Sequence, residues 1–98
     1  ELKRWLDEGR PVRILDVREP GEWEIVHLDG ARLLPLGELP ERLHELDSAE
    51  TYVVHCRTGG RSARAVALLR EAGFRRVWNL RGGIRAWATE IDPSLPVY

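Results

Sequence analysis

The chain has 98 residues, 43 % apolar and 32 % charged, and its 15 basic and 16 acidic residues leave a formal charge of −1. That length suits one compact domain over residues 1–98, since two would each be too small to bury a core, and the composition excludes a disordered chain. No apolar run nears the roughly 18 residues of a membrane span, the near-zero charge argues against a generic nucleic-acid binder, and no charged-then-apolar leader argues for secretion.

In chain order, Leu2, Trp5 and Leu6 have helical spacing, with Gly9 placed to stop the helix. Residues 12–17 read as a short buried strand. Pro20 opens a helical turn carrying Trp23, Ile25 and Val26. Gly30 marks a turn before a second strand at residues 31–34. Leu39, Leu43 and Leu46 form one face of a helix, with Glu38, Glu41 and Glu45 outside it and Asp47-Ser48 at its end. Residues 51–55, rich in β-branched side chains, form the clearest strand and end at Cys56.

Arg57, Thr58, Gly59 and Gly60 then read as a loop. Residues 61–72 form a helix whose apolar face is Ala65, Leu68, Leu69 and Ala72, capped by Gly73. Residues 76–80 are a further strand, Gly82-Gly83 a turn, residues 84–91 a last helix, and Pro93 and Pro96 mark an irregular tail. Strands alternating with helices at this spacing predict an α/β fold, a mainly parallel open sheet with helices on both faces.

Cys56 is the sole cysteine, which excludes an internal disulfide, a CxxC redox pair and a cysteine-rich zinc site. The chain has no Met and starts at Glu1, so a missing initiator or longer N-terminal segment is expected. Charge is divided along the chain. Residues 19–50 carry nine acids and two arginines, and residues 51–87 carry eight arginines and only Glu71. Two readings of that division stand: chance distribution over a solvated surface, or an electropositive half, containing the cysteine, that attracts an anion.

In open α/β sheets, ligands bind beyond the carboxyl ends of strands, where Cys56 is placed. The two glycines after it permit positive φ, so successive N–H groups can curl around one point. The next helix adds its unpaired N–H groups and positive dipole end. Such a setting holds a cysteine pKa at roughly 3.5–7.5, against ~8.5 for a free thiol. Arg57 and Arg61 push the same way and can hold an oxyanion. The competing reading, an inert buried cysteine, is disfavoured by Gly-Gly, two arginines and a helix start directly after it.

Arg61 follows Cys56 by five positions, where tyrosine-phosphatase-like loops place the arginine six after the cysteine. The tighter ring suits a sulfur atom carried on the cysteine better than a full phosphate.

Other residues carry both a functional and a structural reading. His55 adjoins Cys56 but points to the opposite face, so it is a poor base and a structural residue. His27 reads as a turn or packing residue, and His44 has no evident role. The three histidines share no metal-ligand spacing. For Asp16, orienting a loop arginine or loop N–H stands against capping the next segment, with capping slightly favoured. Arg18 and Glu22, four apart, read as a simple pair. Trp23, Trp78 and Trp87 read as core or rim packing. Arg57 is the best candidate for donor contact, because the second loop residue should project to solvent. Arg61 either shares that role or anchors the loop, and Ser62 either caps the helix or donates to substrate.

Three motifs, in order and at matching spacing, resemble the single-domain rhodanese family over nearly the whole chain. Leu15-Asp16-Val17-Arg18-Glu19, followed by Glu22-Trp23, His27, Gly30-Ala31 and Pro35-Leu36, is similar to its first signature. Cys56-Arg57-Thr58-Gly59-Gly60-Arg61-Ser62 resembles its active loop, and Leu80-Arg81-Gly82-Gly83-Ile84 with Ala86-Trp87 its C-terminal signature. Two features depart from the family. Asp29 stands where proline is usual, with a local change of turn expected, and the chain starts inside the first helix, so the extra edge strand that often precedes it is absent or lies elsewhere.

The resemblance implies sulfur transfer through a Cys56 persulfide. The donor is a small anion such as thiosulfate, and the acceptor is cyanide, a thiol or a protein. Arg57, Thr58, Gly59, Gly60, Arg61 and Ser62 form the binding loop. No metal or organic cofactor, nucleic acid or membrane is implied, and a cytoplasmic monomer is expected. Other readings are a persulfide-carrying or regulatory module of a larger system, a phosphatase or arsenate reductase of related fold, and a non-catalytic binding domain. Loop length opposes the phosphatase reading, and the intact cysteine opposes the binding domain.

Overall fold

The computed structural model describes residues 2–97. Helix α1, Leu2–Asp7, ends before Gly9, whose φ of 72° reverses the chain. It leads into β1, Val12–Asp16. Helix α2, Pro20–Ile25, opens on a proline, which costs nothing there because first-turn N–H groups have no helical partner. The Glu19 backbone N–H donates to the Glu22 carboxylate at 3.1 Å and tightens that entry. Val26 is buried while Ile25 faces solvent.

Strand β2 follows at Ala31–Leu33. The expected leucine helix is a shorter device: α3, Leu39–Arg42, between 3₁₀ turns at Leu36–Glu38 and Leu43–Glu45. Pro40 fits only a first helical turn, and Leu46 has returned to extended backbone. The apolar stripe still packs, with Leu39 buried and Leu36, Leu43 and Leu46 against the same core.

Strand β3 is Thr51–His55, α4 is Gly60–Glu71, β4 is Val77–Asn79 and α5 is Gly83–Ala86, continued by a π turn at Trp87–Ile91. The inner face of α4 is Ser62, Ala65, Val66 and Leu69; Ala72, expected on it, is the exposed C-cap, from which Gly73 turns the chain away.

The sheet order is β2-β1-β3-β4, and every pairing is parallel. Among the described residues, β2 and β4 are the outer strands of this sheet. Alternate residues on a strand face opposite sides, and the core divides accordingly. Leu15, Val17, Tyr52, Val54 and Val77 pack with Leu39 of α3 and Ala65, Val66 and Leu69 of α4. Ile14 and Val53 pack with Leu2 of α1 and Ile84 of α5. Helices thus cover both faces, and the parallel pairing sets the carboxyl ends of all four strands along one edge. Asp16, Cys56 and Asn79 meet there. No helix among the described residues is long and apolar enough to cross a membrane.

Candidate active site

Cys56 follows the last residue of β3 and is 1 % exposed, packed among Val54, Ala65 and Val66. The chain turns over its sulfur through Arg57, Thr58 and Gly59. At Gly59 φ is 121°, a conformation that L side chains rarely adopt, and there the backbone N–H donates to Sγ at 3.0 Å. Ser62, fully buried on the first turn of α4, sets its Oγ 3.4 Å from Sγ.

Burial by itself pushes the Cys56 thiol up. The Ser62 hydroxyl, when its proton turns to Sγ, and the backbone N–H groups of Ser62, Gly59 and Thr58 outweigh it and hold the thiol below its ordinary value. Several N–H donors converging on one sulfur make the anion cradle that the glycine loop implied.

The Gly82-Gly83 turn supports the loop from behind. The Ile84 N–H donates to the Cys56 carbonyl at 2.9 Å, and the Arg85 N–H to the Arg57 carbonyl at 3.0 Å. Anchoring those carbonyls on α5 helps fix the orientation of the loop's peptide planes. A Cβ at Gly83 would lie 2.4 Å from the Arg57 carbonyl oxygen, and φ there is +61°. Gly83→Ala is therefore expected to cost roughly 1–3 kcal/mol, read by urea unfolding, and to return Cys56 toward ordinary thiol reactivity. Unchanged stability and alkylation rate would show that the turn does not hold the loop.

The loop residues divide in their placement. Arg57 is half-buried, so it does not project freely as expected; Thr58 and Gly60 are the exposed positions. Arg61 turns toward α2. Its guanidinium pairs bidentately with Glu22 of α2, at 2.6 and 2.8 Å. Ser62 turns inward, and besides Sγ its hydroxyl meets the Asn79 amide oxygen at 2.5 Å.

Asp16 gives its carboxylate to Arg18. Oδ1 accepts from the Arg18 backbone N–H at 3.0 Å and from Nε at 2.9 Å, and Oδ2 accepts from Nη2 at 2.7 Å. Both side chains are fully buried. Arg18 also donates to the carbonyls of Glu22 at 3.4 Å and Val26 at 2.7 Å, tying α2 to the end of β1. Where a simple Arg18–Glu22 pair was expected, Arg18 meets the Glu22 backbone carbonyl, and the Glu22 carboxylate grips Arg61.

His55 points to Asp16, with Nε2 3.7 Å from Oδ2, and burial outweighs that carboxylate and pushes its pKa down. Its Nδ1 lies 3.3 Å from the Cys56 carbonyl oxygen. His27 stacks on Trp23 with ring centroids 3.9 Å apart and bonds the Trp23 carbonyl oxygen. His44 is exposed. Trp87 joins the second core, and exposed Trp78 meets Trp5 edge to face.

Sequence reasoning missed Glu22 as the Arg61 partner and Asn79 as a neighbour of the sulfur. Glu22 lies 39 positions from Arg61, and no local pattern announces such a pairing. Asn79 did carry a signal. It is the only asparagine, a polar residue ending a strand just before the glycine turn.

A family model described as rhodanese-like domain matches residues 1–90. The chain is 47 % identical over 100 residues to the probable adenylyltransferase/sulfurtransferase MoeZ of Mycobacterium tuberculosis, covering all of this chain and 26 % of that protein. It is 36 % identical over 91 residues to the putative sulfur carrier protein YrkF of Bacillus subtilis, covering 93 % of this chain and 49 % of that one. The chain thus spans about a quarter to a half of the length of these relatives. Among solved structures, a rhodanese-like domain protein from Staphylococcus aureus superposes with a TM-score of 0.85 at 35 % identity, covering 100 % of this chain and 92 % of that one.

Proposed function

The chain belongs to the rhodanese-like domain family, and from that membership we propose that residues 1–98 act as one sulfur-transfer domain with Cys56 as its nucleophile. The observation that carries the reading is the set of donors on Sγ, led by the Gly59 N–H at 3.0 Å. They favour a thiolate at neutral pH, and the thiolate is the reactive form.

With thiosulfate as donor, the thiolate attacks the outer sulfur and a new S–S bond forms to Sγ. The bond from that sulfur to the sulfonate breaks, and sulfite leaves with the electron pair. The persulfide's terminal charge is shared among the N–H groups of Thr58, Gly59, Gly60 and Ser62, as in an oxyanion hole. Cyanide, a thiol or a protein acceptor then takes the terminal sulfur and restores the thiolate. Arg57 contacts the anionic donor in this scheme. Arg61, engaged by Glu22, holds the loop closed around it.

A second reading, a persulfide carrier within a larger system, is favoured by the relatives' names and by the fraction of their length that this chain spans.

Incubation with thiosulfate followed by intact-mass measurement tests the common step. One added sulfur atom, removed by cyanide, is expected. Continuous thiocyanate formation then marks an enzyme, and a single discharge marks a carrier. Alkylation of Cys56 should reach half its plateau rate below the ~8.5 of a free thiol, falling as pH drops through that lowered value. No sulfur gain together with ordinary thiol reactivity would overturn both readings.

A further inference from the structure

Asn79 ends β4 and places both halves of its amide on the loop. Nδ2 donates to the Gly59 carbonyl oxygen at 3.2 Å, and Oδ1 lies 2.5 Å from Ser62 Oγ. The reverse orientation would set Oδ1 against that carbonyl, acceptor on acceptor, so Oδ1 is the atom facing Ser62. Two oxygens at 2.5 Å require a proton between them, and the amide oxygen has none to give. The Ser62 hydroxyl therefore donates to Asn79. Its one proton is committed there and not to the Gly59 carbonyl oxygen, which lies farther off at 3.2 Å, and a lone pair faces Sγ at 3.4 Å. A lone pair can accept from a thiol but repels a thiolate.

On the reading of Cys56 as the sulfur-bearing nucleophile, we propose that Asn79 is a positioning residue that holds the Ser62 proton away from Sγ and so restrains ionisation of the cysteine. When Cys56 gives its proton to solvent, the hydroxyl must swing from Oδ1 to Sγ, exchanging one hydrogen bond for another. The backbone N–H donors are untouched by that swing. The Gly59 carbonyl also keeps its bond from the Ala63 N–H at 3.1 Å when Asn79 is lost. The other charged and titratable groups nearby are Arg57 in the loop, Arg61 paired with Glu22, the buried Asp16–Arg18 pair with His55, and Arg85 at the start of α5. Changing Asn79 alters none of them.

The test is the pH profile of Cys56 alkylation in Asn79→Leu, Ser62→Ala and the double variant. Leucine keeps the branched shape of asparagine and removes both polar atoms. Asn79 is exposed, so the change takes little from the core. With its proton released, Ser62 bonds the thiolate, whose charge makes it a stronger acceptor than the neutral Gly59 carbonyl 3.2 Å away, and the midpoint of Asn79→Leu should fall by roughly half to one pH unit. The shift should vanish in the Ser62→Ala background. Asn79→Asp, which keeps an acceptor for the hydroxyl, should not show the fall.

A residue that merely clamps the loop predicts the opposite sign, because a loosened cradle raises the midpoint. A raised or unmoved midpoint in Asn79→Leu, or a fall that persists without Ser62, overturns the proposal while leaving Cys56 a nucleophile. An ordinary thiol profile in the unaltered protein overturns both.

Discussion

Cys56→Ser is expected to gain no sulfur from thiosulfate and to form thiocyanate only at the uncatalysed background rate. The hydroxyl is far less acidic than the thiol, so no anion forms in the cradle at neutral pH. An oxygen nucleophile also cannot form the S–S bond on which transfer depends. The fold should survive. Serine nearly matches the size of cysteine, and its oxygen can accept the Gly59 N–H that now meets Sγ at 3.0 Å. A stability change on the order of 1 kcal/mol is expected, the scale of one altered hydrogen bond. Parallel circular dichroism and intact-mass measurements check both halves. A Cys56→Ser protein that still gained a sulfur atom would place the sulfur-bearing group elsewhere.

Asp16→Ala should be the most destabilising single change named here. The Asp16–Arg18 pair is fully buried, and Arg18 holds α2 through the carbonyls of Glu22 and Val26. Removing the carboxylate leaves a buried guanidinium without its counter-charge, at a cost of about 3–5 kcal/mol. Against a typical total of roughly 5–15 kcal/mol, that is a large share of the stability. For a domain of this size the melting temperature should fall on the order of 15–30 °C. Replacing both partners with apolar residues of similar volume, Asp16→Leu with Arg18→Met, should recover much of the loss. A loss within about 1 kcal/mol for Asp16→Ala would put the pair on the level of an exposed salt bridge.

His55 adds an acid sensitivity at the same place. Burial holds its folded pKa below the unfolded value, so the unfolded chain binds the proton more readily. Stability is full above the ordinary histidine range and is lost as pH falls from there through the lowered folded value.

Cys56 and its loop lie in local sequence, whereas the Asp16–Arg18 pair depends on packing. The strand at residues 51–55, the glycine loop after Cys56 and the helix after that follow from local chemistry. β-Branched residues favour strands, paired glycines permit the turn, and apolar spacing marks the helix face. The shorter α3 and the exposed Ala72 depart from expectation where a local pattern met a cap or a proline. Residues such as Asp16, Arg18 and Glu22 read locally as a cap and an i,i+4 pair. Their partners come instead from packing, which brings Glu22 to Arg61 across 39 positions.

Local residue preferences thus set the alternation that makes a parallel α/β sheet, the cysteine at a strand end, and the glycine-rich loop able to gather N–H groups around it. These depend on residues adjacent or a turn apart, whose conformational preferences act whatever the rest of the chain does. Packing between elements set which loop arginine pairs with Glu22, what balances the buried Asp16, and that Asn79 stands against Ser62 beside the sulfur. Those contacts join residues on different elements, and a polar side chain's partner is set by the register of the sheet and the docking of helices on it. No spacing along the chain encodes that.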